Sequence, residues 1–218
     1  MREIASIYNI NDPKEPIPMD REKFYDKQIE AHSSGAKLHQ AIGIFDVFLF
    51  SERGEFILQK RSHKKRHNQL LIDKAVGGHI QHNDSPYYTA MIETVQELQV
   101  PSVVLRQDED FVRTFCILKE YLENTAILRL IDGKIHTINN VIDEKEIPIL
   151  KNVWLFFGIY SGASKPVDRE ASGVLYYEKE VLFKEMKDKP DLFTPDLHYF
   201  IKEYGDKMDE FLEILKKC

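Results

Sequence analysis

The chain has 218 residues, 43% hydrophobic and 30% charged, enough for one large domain with an ordinary core. A formal net charge of −6 offers no general attraction to nucleic acid or to an anionic membrane surface. Its two cysteines, Cys116 and Cys218, give neither a disulfide framework nor the Cys-x-x-Cys spacing of a zinc site.

No apolar run precedes Asn9 and Asp12, so no signal peptide is expected. Residues 1–38 read as an N-terminal arm on a domain spanning 39–218. Residues 3–8 suit a short strand, and Pro13, Pro16 and Pro18 then keep the chain extended. Asp20 is placed to cap a helix that ends near Gly35. Residues 39–50 are dense in Ile, Phe and Val, as in a central strand. That run holds Asp46 and is far too short to cross a bilayer, so a cytoplasmic protein with no membrane partner is the expectation. Residues 51–55 turn the chain into a hairpin partner, 56–61. A basic loop over 63–67, a short strand over 72–76 and a loop at Gly77-Gly78-His79 follow.

Ser85-Pro86 reads as a helix start, Ser as cap and Pro in the first turn. Tyr88, Met91, Val95 and Leu98 then recur at helical spacing and predict one buried stripe, which Pro101 ends. Strands are expected at 111–121, 125–131 and 153–160, and a strand-like stretch at 173–177. Helices are expected over 178–187 and from Thr194-Pro195 onward, the last bent or split at Gly205. The sum is a mixed sheet flanked by helices, an α/β fold.

The segment from Gly78 to Val100 carries the chemistry. Gly78 is followed by five residues, Asp84, seven residues, and then Ile92-Glu93-Thr94-Val95-Gln96-Glu97-Leu98-Gln99-Val100. Glu93 and Glu97 are one helical turn apart, so their carboxylates share a face. Two such carboxylates suit a hard cation such as Mg²⁺ or Mn²⁺ shared with substrate phosphates. Such an ion neutralises a diphosphate, positions it and lowers the pKa of an attacking water. Out of context, the same acids would simply be the wet face of an amphipathic helix. Lys60 and Arg61, beside the basic loop, are the candidates for gripping phosphate.

This frame resembles the Nudix box, written G-x5-E-x7-R-E-U-x-E-E-x-G-U, with Gly78, Glu93, Glu97 and Val100 matching and Asp84 a conservative match. Ile92, Gln96 and Gln99 depart from it, standing where the family has Arg, an acid and Gly. His39-Gln40-Ala41, Gln59-Lys60-Arg61-Ser62, the run from Asp73 to His79 and Phe193-Thr194-Pro195 resemble Nudix proteins related to isopentenyl-diphosphate isomerase. The resemblance implies a Nudix-type α/β/α sandwich with a mixed β-sheet. It implies a hydrolase of a small-molecule diphosphate, such as a nucleoside diphosphate derivative, using Mg²⁺ or Mn²⁺. The metal site would draw on Glu93, Glu97, Gln96 and, from a later loop, Glu170, with Glu93 and Glu97 catalytic.

Losing one acid and one Arg keeps the frame's charge but removes a brace on Glu93, so a weak or inactive binding or regulatory module is the rival reading. Isomerase activity is disfavoured, because Ala75-Val76-Gly77-Gly78-His79 lacks the cysteine that serves acid–base chemistry in that family. No nucleic-acid polymer is expected as partner, and a homodimer is compatible with the sequence.

Overall fold

The computed structural model describes residues 3–65, 68–142, 145–163 and 171–217. Strands β1 (Ile4–Asn9) and β2 (Asp12–Asp20) form an antiparallel hairpin, and helix α1 (Arg21–Ser34) follows directly. The prolines of β2 are tolerated because β2 pairs only with β1 and needs no second row of donors. The Asp20 side chain accepts from Lys23 N to start α1, and Gly35 ends it at φ 69°, a left-handed conformation that glycine adopts without strain.

Next come β3 (Gln40–Phe50), β4 (Phe56–Arg61), β5 (Ile72–Asp73), β6 (Val76–His79) and α2 (Pro86–Leu98). Then follow β7 (Ser102–Leu105), α3 (Asp108–Leu118), β8 (Ala126–Ile142), β9 (Lys145–Ile159), β10 (Ala171–Tyr177), α4 (Lys179–Asp188) and α5 (Pro195–Leu212). The sheet runs β10-β4-β3-β9-β8-β7. Strand β3 is its axis: one edge lies parallel to β9, and the other pairs in succession with β1, β6 and β4.

Alternation along β3 divides the core into two layers. Ile44, Phe48 and Phe50 join the cluster that holds Phe24 of α1, Phe111 of α3 and the Leu197, Phe200, Tyr204, Met208 and Phe211 stripe of α5. Phe45, Val47 and Leu49 join the cluster beneath α2, with Ala90 and Leu98. Residue Asp46 therefore falls on the layer of α1 and α5. The α/β sandwich with a mixed sheet is as the sequence predicts, and Ala5, Ile7 and Phe24 tie the first 34 residues into the main core.

Four local expectations are corrected. Residues 111–121 are not a strand: α3 buries Phe111 and Phe115 one turn apart, behind an acidic first turn of Asp108, Glu109 and Asp110. The strands expected at 125–131 and 153–160 are the distal parts of the much longer pair β8 and β9. Gly77 and Gly78 lie in a strand paired with Asp46 and Phe45, not in a loop. Helix α5 runs unbroken through Gly205, where added side-chain volume would meet only open space.

The apolar stripe on α2 is also misplaced. Leu98 is 1% exposed, but Tyr88, Met91 and Val95 are 49%, 37% and 43% exposed. The buried face instead carries Thr89, Ala90, Thr94, Glu97 and Leu98, rotated by about a third of a turn. This face packs on β6, β7 and β3, and the larger side chains of Tyr88, Met91 and Val95 turn outward. Leu98→Ala is expected to cost roughly 2–4 kcal/mol and Val95→Ala under about 0.5 kcal/mol. Urea midpoints that fall equally for both variants would show that the helix is turned the other way.

Candidate functional site

Helix α2 starts on Ser85, whose hydroxyl accepts from Tyr88 N, and ends on Gln99 at φ 57°. That left-handed residue stands where the box has Gly, so this chain keeps the conformation and accepts its strain. Between these ends, Glu93 is half-buried, Gln96 exposed and Glu97 only 4% exposed. Glu97 Oε2 accepts from Gln59 Nε2 at 3.3 Å, which fixes the helix face against β4.

All three face a cavity of about 600 Å³. Gly78 lines it, as do Arg61, Lys64 and Lys65 from the end of β4 and the basic loop. Lys60 is exposed and Asp84 half-buried, and neither lines the cavity. The expected role of Glu170 lies outside the described residues. Ile92, in the Arg position of the box, is half-buried.

The structure adds a group of side chains that sequence reasoning did not assign. Asp46, Asp73, Lys74, Lys151 and Asp196 are buried, and all line the same cavity. Lys151 Nζ donates to Asp196 at 2.8 and 3.0 Å, and Lys74 Nζ lies 3.1 Å from Asp46, 3.5 Å from Asp73 and 3.5 Å from Asp196. Arg61 donates to Asp73 at 3.0 Å, so the carboxylates of Asp46, Asp73 and Asp196 meet as many cations. The Thr194 hydroxyl donates to Asp73 and accepts from Leu197 N, joining β5 to the start of α5. Balance of this kind is what allows charges to stay in a dry interior.

Gly77 is the steric condition for this cluster. A Cβ there would sit 2.5 Å from Lys74 Cε and 2.6 Å from Asp46 Oδ1. At Gly78 a Cβ would press on the Phe45 ring at 3.2 Å. Both glycines are therefore explained by close approach, not by a turn.

Burial would raise both Asp46 and Asp196, but the outcomes differ. At Asp196, Lys151 and Lys74 overcome burial and hold the carboxyl down to about 2. At Asp46 burial wins over Lys74, and the carboxyl is pushed up to about 7. The physical difference is direct: both oxygens of Asp196 take hydrogen bonds from Lys151, whereas Asp46 has only Lys74, 3.1 Å from Oδ1, and its Oδ2 has no partner.

Also on the cavity lining, Tyr25 of α1 and His79 of β6 meet, Tyr25 Oη and His79 Nε2 being 2.9 Å apart. Burial, with Arg21 and Lys151 nearby, lowers His79 to about 3, so the ring is neutral. The Tyr25 hydroxyl, itself raised by burial, then donates to Nε2, leaving Nδ1–H to face Glu3 at 3.4 Å.

Among the described residues, no three His, Cys, Asp or Glu side chains converge as a metal-holding group. Glu93 and Glu97 offer oxygen donors of the hard type, which fits an ion sharing its shell with substrate phosphates and not a preassembled protein cage.

No family model matches the chain. Over 81 residues it is 32% identical to the isopentenyl-diphosphate Delta-isomerase of Streptomyces coelicolor, and 31% identical to that of Streptomyces griseus. The match takes in 37% of this chain and only 40% of either relative. The resemblance to isomerase-related Nudix proteins is thus present over part of the chain. A crystal structure of a Deinococcus radiodurans protein, DR0079, superposes with a TM-score of 0.60 at 13% identity, covering 92% of this chain and 98% of that one. The likeness shows a shared fold. A hydrolase of the Nudix family from Clostridium perfringens aligns over 80% of this chain and 95% of its own, at 18% identity and a TM-score of 0.44.

Proposed function

We propose that the chain is a Nudix-type hydrolase that cleaves a diphosphate linkage in a nucleoside diphosphate derivative or similar small molecule, with Mg²⁺ or Mn²⁺. The observation that carries this reading is convergence: the acids of α2 and the cations after β4 line one cavity. Arg61, Lys64 and Lys65 supply charge to bind and orient phosphate. Glu93 and Glu97, with Gln96 beside them, would hold the ion. When bound, such an ion neutralises the diphosphate and acidifies a water. Gln59 would position the Glu97 carboxylate from behind by the hydrogen bond it donates.

Expected is hydrolysis of a member of a diphosphate panel that depends on Mg²⁺ or Mn²⁺, with kcat/KM reduced roughly 100-fold or more in Glu97→Gln. Calorimetry should show the ion bound by wild type and lost in the Glu93→Gln, Glu97→Gln double variant. Equal ion binding by both proteins would sink the assignment of these acids.

A second reading, a binding module with weak or lost chemistry on the same fold, is favoured by the absence of a three-acid group among the described residues. Tight diphosphate binding with no turnover under any divalent ion would select it. An isomerase is disfavoured on the cavity itself, since among the described residues no thiol lines it.

A further inference from the structure

The cavity's charged wall bears on what lies beyond the diphosphate. Among the described lining residues the aliphatic side chains are Ile29, Ile44 and Ile142, and nearly all the others are polar, charged or glycine. Two buried acceptor atoms on this lining have no hydrogen-bond partner, Oδ2 of Asp46 and Oδ1 of Asn140, and Oδ1 of Asp46 has only Lys74 Nζ beside it, at 3.1 Å. Asp46 is 1% exposed and held on a central strand, and Gly77 opposite it leaves just the room that its carboxyl and the Lys74 side chain fill. Lys74 reaches Oδ1 alone and leaves Oδ2 without a donor.

A buried acceptor left unpaired costs free energy, and the cost is removed by a ligand that brings donors. A hydrocarbon group placed on the same wall would bring none. It would leave Asp46 and Asn140 unpaired against it.

We propose that Asp46, together with Asn140, forms a specificity subsite for a hydrogen-bond-donating group, so that the cavity selects a diphosphate ester rich in hydroxyl or amide donors and rejects a prenyl one. This rests on the diphosphate reading above. The role of Asp46 is to offer acceptor oxygens: they take hydrogen bonds from the group attached to the diphosphate, while Lys74 stays paired within the cluster. Sites built to hydrogen-bond a substrate discriminate strongly against analogues lacking the donor, because the protein's own buried groups are then left unsatisfied.

The test compares three probes on the full chain by calorimetry: inorganic diphosphate, isopentenyl diphosphate and UDP. The last two are both diphosphate monoesters, so a general electrostatic change moves them together and their ratio isolates the attached group. Wild type should bind UDP at least about 10-fold more tightly than isopentenyl diphosphate, and Asp46→Asn should cut that ratio to within about threefold. Isopentenyl diphosphate binding as tightly as UDP to wild type overturns the subsite, and this arm needs no variant to fold. A ratio unchanged in folded Asp46→Asn overturns the role of Asp46. Failure of inorganic diphosphate and both esters to bind overturns the diphosphate reading and the subsite with it. Binding of all three without preference overturns the subsite alone.

Discussion

Lys151→Met is expected to cost about 3–5 kcal/mol of folding stability at neutral pH, the loss seen when one partner of a buried ion pair is removed. Methionine fills nearly the same volume, so the cost isolates charge from packing. Lys151 is buried on β9, and its ammonium makes both hydrogen bonds to Asp196 in the first turn of α5. Without it, Asp196 keeps Lys74 at 3.5 Å as its nearest cation. The sign with pH follows. Against burial, Lys151 and then Lys74 depress Asp196 to about 2 from an ordinary 3.8, so its contribution is present above 3.8 and lost as pH falls towards 2. The gap between wild type and Lys151→Met in urea unfolding should therefore narrow in acid. Adding Asp196→Asn should restore most of the loss, because the stranded charge goes with it. A single-variant cost below about 1 kcal/mol would mean that water already reaches the pair.

The same pair shows where sequence reasoning stops. Caps and strand patterns are local, so Asp20, Gly35, Ser85 and Thr194 are legible and each marks a helix end in the structure. The cavity's cluster is assembled across distance, with 45 residues separating Lys151 from Asp196 and 121 separating Asp73 from Thr194. No window along the chain contains that information. Asp46 did leave a trace: a lone acid within Ile-Phe-Asp-Val-Phe of a central strand must be buried, and a buried acid is paired or functional. Reading it only as an interruption of an apolar run missed that signal.

The errors have physical causes too. Residues 111–121 are rich in aromatic and β-branched types, but the decisive feature is Phe111 and Phe115 one turn apart over an acidic start. On α2 the larger apolar residues form a tidy stripe, yet the helix docks by the face that carries Ala90, Thr94 and Leu98. Hydrophobic period located the helix correctly and misjudged its rotation.

Asp46→Asn should become more stable relative to wild type as pH rises from about 4 to 7. Burial is the dominant cause that pushes Asp46 up to about 7 from 3.8, and the charges facing it divide. Lys74 and Lys151 favour the carboxylate, whereas Asp196 and Asp73 oppose it. Folded protein therefore holds a proton at Asp46 over a range in which the unfolded chain has released it. Stability from this group is present below about 4 and lost as pH climbs to about 7, at a slope approaching 1.4 kcal/mol per unit. Asparagine has no such proton, so the variant lacks this slope while retaining the side-chain shape. Lys74 keeps Asp73 and Asp196 in either protein, which holds the rest of the cluster in place. The absolute cost of the substitution at one pH mixes a lost ion pair with a lost desolvation penalty. Its change with pH does not, because only the titration of Asp46 differs between the two chains. Denaturant midpoints taken at half-unit steps from pH 4 to pH 8 read that change directly. Parallel curves for wild type and variant would show that Asp46 is ionised throughout, with Lys74 outweighing burial.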